Sequence, residues 1–306
     1  MKKYLLTRIV LMALTLWMVI TITFVLMYAV PGGPFTKQKK IPPAIMEALN
    51  EKYHLDDPLH VQYIDYLKGV VKFDLGPSFK HKGQDVKDFI KNGFPVSAKL
   101  GLISISFSII FGVCGGVIAA IKQGGWQDFS LLIMATLGVC IPGFVIATLL
   151  IYVFGLKLGW LPVYGIQSWK GFVLPVMALS GYTLSFITRL VRSSMLEVLQ
   201  QEYIMTARAY GMSEIVVIFK HALRNAIIPV VSFVGPMISI VLAGSFVIER
   251  IFALPGMGRY FVESITNRDY TTIMGITIFD TVLLVLAVLL VDILYGWIDP
   301  RIKVHD

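Results

Sequence analysis

Apolar residues gather in six long runs along this 306-residue chain, at 9–30, 100–121, 131–154, 171–190, 227–248 and 274–298. Each reaches about 20 residues, the length an α-helix needs to cross the hydrocarbon core of a bilayer. The pattern therefore predicts an all-α polytopic membrane protein with six transmembrane helices. The first run follows Lys2, Lys3 and Arg8, as a signal peptide would. It is too long for such a peptide's apolar core, and Pro31-Gly32-Gly33-Pro34 follows it in place of a small-residue cleavage site. A retained signal anchor is the expectation. Pro175 and Gly181 interrupt the fourth run, breaks that a spanning helix tolerates where neighbours re-satisfy its backbone.

Between the runs lie two longer polar stretches. Residues 31–98 carry helical patterns through Ile45, Met46, Leu49 and Tyr53 and through Leu59, Tyr63, Ile64 and Leu67, with a third short helix expected near Val86–Ile90. Gly76-Pro77-Ser78 breaks the series. This organisation gives a first span at 1–30, a small helical segment at 31–98, and a five-span core at 99–306 that contains a loop at 189–226.

Composition agrees with the pattern. The chain is 56% hydrophobic and 15% charged, with a mean hydropathy of +0.75; soluble domains carry about 25% charged residues. The net charge of +8 fits basic edges on a membrane protein, and no basic stripe of a nucleic-acid-binding fold appears. Cys114 and Cys140 both fall inside apolar runs, where small packing roles are expected and a disulfide framework or metal site is not.

Charge also orients the chain. With the N-terminus in the cytoplasm, the inner segments hold Lys2, Lys3, Arg8, Lys122, Arg189, Arg192, Arg208, Lys220, Arg224, Arg301 and Lys303. The short outer loops hold Lys157, Lys170, Arg250, Arg259 and Arg268. Eleven against five places both termini in the cytoplasm. Residues 31–98 are then extracytoplasmic, and 189–226 form the longest cytoplasmic loop.

That loop reads as two short amphipathic helices. Leu196, Leu199, Tyr203, Ala207 and Tyr210 recur at helical spacing. Gly211 follows as a left-handed C-terminal cap. Ser213 is positioned to N-cap a second helix through Ile215, Ile218, Phe219 and Ala222. Arg208, Lys220, His221 and Arg224 decorate the pair, and Asn225 and Pro229 mark the entry to the fifth run. Such a hairpin either lies on the membrane surface or docks a partner. Its small residues Ala207, Ala209 and Gly211 and its continuity with two spans favour docking.

The segment Thr206-Ala207-Arg208-Ala209-Tyr210-Gly211, followed by His221-Ala222-Leu223-Arg224-Asn225-Ala226 and Ile227-Ile228-Pro229, resembles the cytoplasmic coupling motif of ABC-importer permeases. The family pattern runs Glu-Ala-Ala, a few residues, Gly, then Ile-x-Leu-Pro. Thr206 stands in place of the glutamate, Arg208 in place of the second alanine and Ile228 in place of the leucine. Further stretches resemble the oligopeptide branch, closest to its B-type subunit: Pro31-Gly32-Gly33-Pro34-Phe35, Asp74-Leu75-Gly76-Pro77-Ser78-Phe79, Phe94-Pro95-Val96-Ser97, Glu249-Arg250-Ile251-Phe252-Ala253-Leu254-Pro255-Gly256-Met257-Gly258, Asn267-Arg268-Asp269-Tyr270 and Asp299-Pro300-Arg301-Ile302-Lys303. Dipeptide, murein-peptide and nickel permeases share much of this pattern.

The resemblance implies a type I importer permease fold and a homologous second permease subunit. It implies two ATPase subunits on the cytoplasmic hairpins and an extracytoplasmic peptide-binding protein. ATP and Mg would be bound in those ATPase partners, with no cofactor held by this chain and no enzymatic activity of its own. In keeping with that, the sequence contains no G-x-x-x-x-G-K-[ST] phosphate loop. The coupling residues implied are Tyr203, Thr206, Ala207, Arg208, Ala209, Tyr210, Gly211, His221, Arg224 and Asn225.

Polar residues inside the apolar runs are further candidates. A central Asp costs about 2.5–3.5 kcal/mol on the insertion scale, so Asp280 and Asp292 in the sixth run are expected to face the bundle or an aqueous path. Asp280 either lines the peptide path or fixes helix packing. Glu249, Pro255 and Gly256 follow the fifth run and form an outer gate or a turn scaffold. Gly112 and Gly116 form a G-x-x-x-G suited to close helix contact. Pro142-Gly143 and Gly235-Pro236 are kink points. A self-contained secondary transporter would show internal repeats and ion sites at broken helices; a membrane enzyme would show H-E-x-x-H or G-x-S-x-G. No clear internal repeat and neither of those enzyme motifs is found.

Overall fold

The computed structural model describes residues 2–29, 56–81, 83–242 and 246–298. The 31–35 and 299–303 motifs, the helical pattern at 45–53 and the Asp292 side chain lie outside the described residues. The described secondary structure is helical apart from one isolated bridge between Pro77 and Asp85. Among the described residues, four helices are long and apolar enough to cross a membrane, and a bent pair makes a fifth span if its two halves are taken as one. The chain divides into two compact units. Among the described residues, the first takes those up to Val96 and Pro255–Leu286; the second takes Ser97–Leu254 and 287–298.

In the first unit, α1 (Lys2–Ala29) is apolar all round. It leaves Ile9, Leu14, Trp17, Ile22 and Val25 exposed, as a lipid-facing helix does. Its C-terminal half meets α2 (Leu59–Val71) through aromatic rings. Phe24 lies 5.2 Å from Tyr63 and 4.5 Å from Tyr28, and Tyr28 lies 6.0 Å from Tyr270. The hydroxyls of Thr21 and Tyr63 bond at 2.6 Å, and Tyr28 donates to Gln62 at 2.6 Å.

The Val86–Ile90 stretch is not a separate helix. It is the start of α3 (Val86–Ile121), which runs 36 residues through Pro95. Its N-terminus is set by Asp88, which accepts the N–H of Asp85 at 3.0 Å in the manner of a capping box.

In the second unit, α4 (Trp126–Cys140) and α5 (Gly143–Leu150, continued by a π-turn over Ile151–Lys157) occupy the third apolar run. They meet at a bend of 110°, so the straight crossing expected at 131–154 does not form. Pro142 has no N–H and drives Ile141 to an extended conformation (φ −88°, ψ 122°), which ends α4 one residue earlier. A short 3₁₀ turn, Trp169–Phe172, leads into α6 (Val173–Leu199). α6 extends well beyond the expected end of the fourth run.

α3 and α4 both pack on α6, and glycines set the distance. A Cβ on Gly112 would stand 2.8 Å from Ile187 Cγ2, and one on Gly116 would stand 2.6 Å from Val191 Cβ and 2.7 Å from the Thr188 carbonyl. On α4, a Cβ on Gly138 would stand 2.8 Å from the Gly181 carbonyl. The G-x-x-x-G pair thus marks a real helix contact. At the start of α4, Asp128 makes a bidentate pair with Arg192 (2.6 and 2.8 Å) and accepts the Gly124 N–H at 3.0 Å. Cys114 and Cys140, expected as packing residues, are instead exposed and free.

Adjacent glycines on α3 test this packing. Gly116→Ala should lower the apparent melting temperature of the purified protein by about 2–10 °C, since overpacking costs about 1–3 kcal/mol. Gly115→Ala should leave it unchanged or raised, because its Cβ would meet neighbours at 3.5 Å and beyond. Equal melting for the two variants contradicts the close contact.

Candidate functional site

The hairpin begins where α6 ends. Leu196 and Leu199 belong to the last turns of α6, not to the first hairpin helix as their spacing suggests. The chain breaks at Gln200-Gln201 and resumes as α7 (Glu202–Ala209). Gly211 then adopts φ +76°. The Gly211 N–H bonds the Arg208 carbonyl at 2.9 Å and the Met212 N–H bonds the Ala207 carbonyl at 3.3 Å. This is the Schellman arrangement that a left-handed glycine makes possible. Ser213 occupies the N-cap position in an extended conformation, but its hydroxyl makes no capping bond. The second limb is α8 (Glu214–Val216), a π-helical stretch (Val217–Ala222) and α9 (Leu223–Ala226), followed by α10 (Ile228–Leu242).

The hairpin has two faces. Its inner face carries Ile204, Ala207, Val217, Ile218, Ala222 and Ala226, which share one core with Ile187, Val191 and Met195 of α6 and Val117 and Ala120 of α3. Two polar links hold the limbs together. Arg208 pairs with Glu214 across the turn (Nε to Oε1, 2.8 Å), and Asn225 Nδ2 donates to the Tyr203 hydroxyl at 2.7 Å. The outer face exposes Met205, Tyr210 (81%), Met212, Ile215 (71%), Val216 and Phe219. Exposed apolar residues concentrated in this way are a feature of interaction surfaces.

The ten residues expected to couple therefore divide by where their side chains stand. Ala207 is buried in the core and does not face a partner, contrary to the expectation. Tyr203, Asn225 and Arg208 bond within the hairpin, and Thr206 bonds back to the Glu202 carbonyl. Ala209, Tyr210, Gly211 and Arg224 are exposed, and His221 is half-buried. Sequence reasoning missed Glu214 as the partner of Arg208. Of the four residues that mark the expected second helix, Ile218 and Ala222 are buried while Ile215 and Phe219 are exposed. A stripe with more apolar residues than one helix face can bury was the available signal.

The other candidates are not brought together in one compact unit. Glu249 is fully buried on α11 (Phe246–Ile251) in the second unit. Asp280 is half-buried on α13 (Tyr270–Ile298), in the first unit with Pro255 and Gly256. Gly256 stands at the N-cap of α12 (Met257–Asn267) with an ordinary extended φ of −92°. Its neighbour in the fold is Gly93, where a Cβ would meet the Met257 backbone nitrogen at 2.9 Å.

One residue of the first unit stands out unforeseen. The buried Asp269 accepts from the Ser78 hydroxyl, the Phe79 N–H (3.1 Å), the Thr271 hydroxyl (3.0 Å) and the Thr272 hydroxyl (2.9 Å). It ties the 74–79 motif to the 267–270 motif.

The family model for the inner-membrane component of binding-protein-dependent transport systems matches residues 112–304, and the model for that component's N-terminal region matches 1–101. The chain belongs to this permease family. It is similar to the dipeptide transport system permease of Bacillus subtilis (48% identity over 305 residues, 100% of this chain and 99% of the relative). It is also similar to the oligopeptide transport system permease of Salmonella typhimurium (44% over 308 residues, 99% and 100%). Two solved structures share its fold. One is an inward-facing MetNI methionine ABC transporter (TM-score 0.51, 19% identity, 67% of this chain and 92% of that one). The other is an amino acid ABC transporter with histidines (0.52, 16%, 78% and 98%). The helical fold is thus that of ABC-importer permeases, and the chain is a multi-pass membrane component of such an importer.

The turn at Gly211 carries a direct test. No atom stands within 4 Å of a Cβ placed there, so Gly211→Ala meets only the left-handed backbone cost of about 1–2 kcal/mol. Protease cleavage at the 210–212 turn should rise about 5–30-fold. Gly211→Asn should raise it less. Unchanged cleavage in Gly211→Ala contradicts this account of the turn.

Proposed function

We propose that this permease is the B-type subunit of a peptide importer of the bacterial plasma membrane, with both termini cytoplasmic. It forms the translocation path with a homologous second permease. Two ATPase subunits, where ATP and Mg are bound, drive it through the hairpin, and an extracytoplasmic binding protein delivers the peptide. The observation that carries the reading is the two-faced hairpin, whose inner face is continuous with the core under α3 and α6 while its outer face presents Tyr210, Met212, Ile215 and Phe219. A partner gripping the outer face pushes on packed helices, and packed helices shift as bodies. The relatives named for dipeptide and oligopeptide transport support a peptide substrate. Asp280, an acid half-buried in an apolar helix, is assigned to the path on the rule that such acids face a bundle interior or a cavity.

The test is ATP-dependent uptake of defined peptides by the reconstituted four-subunit membrane complex with its binding protein, with dipeptide and nickel as competitors. Ile215→Asp with Phe219→Asp should cut uptake at least about tenfold by weakening ATPase docking, since a buried unpaired charge costs several kcal/mol. Pairing with the second permease should persist. Asp280→Asn should lower uptake with the complex intact. Normal uptake in the hairpin variant overturns the coupling assignment; normal uptake in Asp280→Asn removes that residue from the path; uptake of nickel and not peptide overturns the substrate.

A further inference from the structure

Where the start of α6 meets the middle of α3, remote from the hairpin, lies a cleft of about 350 Å³, lined by Lys99, Ile103, Phe107, Trp169, Phe172 and Val176 among others. Its wall is apolar except at one end. Lys99 stands there with its ammonium 5.0 Å from the centre of the Phe172 ring, within cation–π range. Among the described residues no carboxylate pairs with Lys99.

The position of Lys99 along the helix is informative. The 22 residues that follow it, 100–121, contain no Asp, Glu, Lys or Arg, and at 1.5 Å per residue they span about 33 Å, the thickness of a hydrocarbon core. Lys99 therefore sits at the edge of the apolar layer. Trp169, 73% exposed, stands at the matching end of α6, as interfacial tryptophans do. Ile103 and Phe107 follow Lys99 at intervals of about one turn, so the cleft descends about 12 Å from the cation toward the membrane interior.

We infer that this cleft holds one phospholipid with an anionic headgroup, its phosphate at Lys99 and an acyl chain along Ile103, Phe107 and Val176. Two observations select that occupant: Lys99 is the one cation among the lining residues and stands at the level of the headgroups, and the apolar groove below it is directed into the bilayer. The bilayer supplies the ligand at high local concentration, and a Lys at the surface favours an anionic headgroup. Lys99 lies outside the hairpin, so the inference stands apart from the coupling assignment.

The experiment is native mass spectrometry of the intact importer complex in mild detergent, titrated with phosphatidylglycerol or with phosphatidylcholine of the same acyl chains. The wild-type complex should retain one phosphatidylglycerol with about fivefold preference over phosphatidylcholine, the effect of about one surface Lys. Lys99→Gln should abolish the preference and leave the subunit masses and phosphatidylcholine retention unchanged. Equal retention of the two lipids by the wild type, or a preference that survives Lys99→Gln, overturns the proposal. A disulfide between Ile103→Cys and an engineered cysteine of the second permease, formed in the intact complex, also overturns it by showing that protein covers the cleft.

Discussion

Val191 occupies the place where a side chain on Gly116 would stand, and the rest of the second unit depends on that contact. Because Gly112 and Gly116 lack side chains, α3 lies against α6 backbone to backbone, and Gly138 does the same for α4. Lipid tails are as apolar as leucine, so burial alone gives no drive for helices to associate within a membrane; close van der Waals packing does. The Asp128–Arg192 pair adds a polar lock near one end of the same contact. Asp128 is itself buried, so removing Arg192 strands its charge. α6 is therefore a mast held on two sides.

The hairpin is continuous with that mast. Met195, one turn beyond Val191, is buried in the same cluster as Ile204, Ala207, Val217 and Ala222. The π-helical stretch at Val217–Ala222 turns Val217, Ile218 and Ala222 into the core while Phe219 points out, a divergence that a regular α-turn achieves less readily. The inner half of the hairpin packs on α3, α6 and the start of α10, which is the packing that the proposed coupling requires. A surface-lying amphipathic hairpin would have its apolar residues on one face only, and this one has them on two.

Much of this arrangement is legible in the residues themselves. Gly211 between two short amphipathic patterns marks the turn correctly, and Gly112 with Gly116 marks the contact, because both depend on what glycine permits locally. Pro142 marks the break in the third run, but not its 110° size, which depends on what α5 packs against. Leu196 and Leu199 misled because a 3.6-residue period continues across the Gln200-Gln201 break without showing it. Ala207 was assigned outward because its small size suits either a partner or a core. Asp269 and Glu214 were illegible for a different reason. Ser78 and Phe79 lie 191 and 190 residues from Asp269, and Arg208 lies across a turn from Glu214, where no period of sequence connects them.

The central claim is that the hairpin and α6 move as one body. Hydrogen exchange of the intact complex in a lipid bilayer measures this directly, since packed units open together and independent loops open alone. The amides of residues 204–208 and 217–222 should exchange with the same protection as those of residues 191–195, with and without bound ATP. Hairpin amides that exchange much faster than those of α6, or that change protection on ATP binding while α6 does not, would contradict the claim.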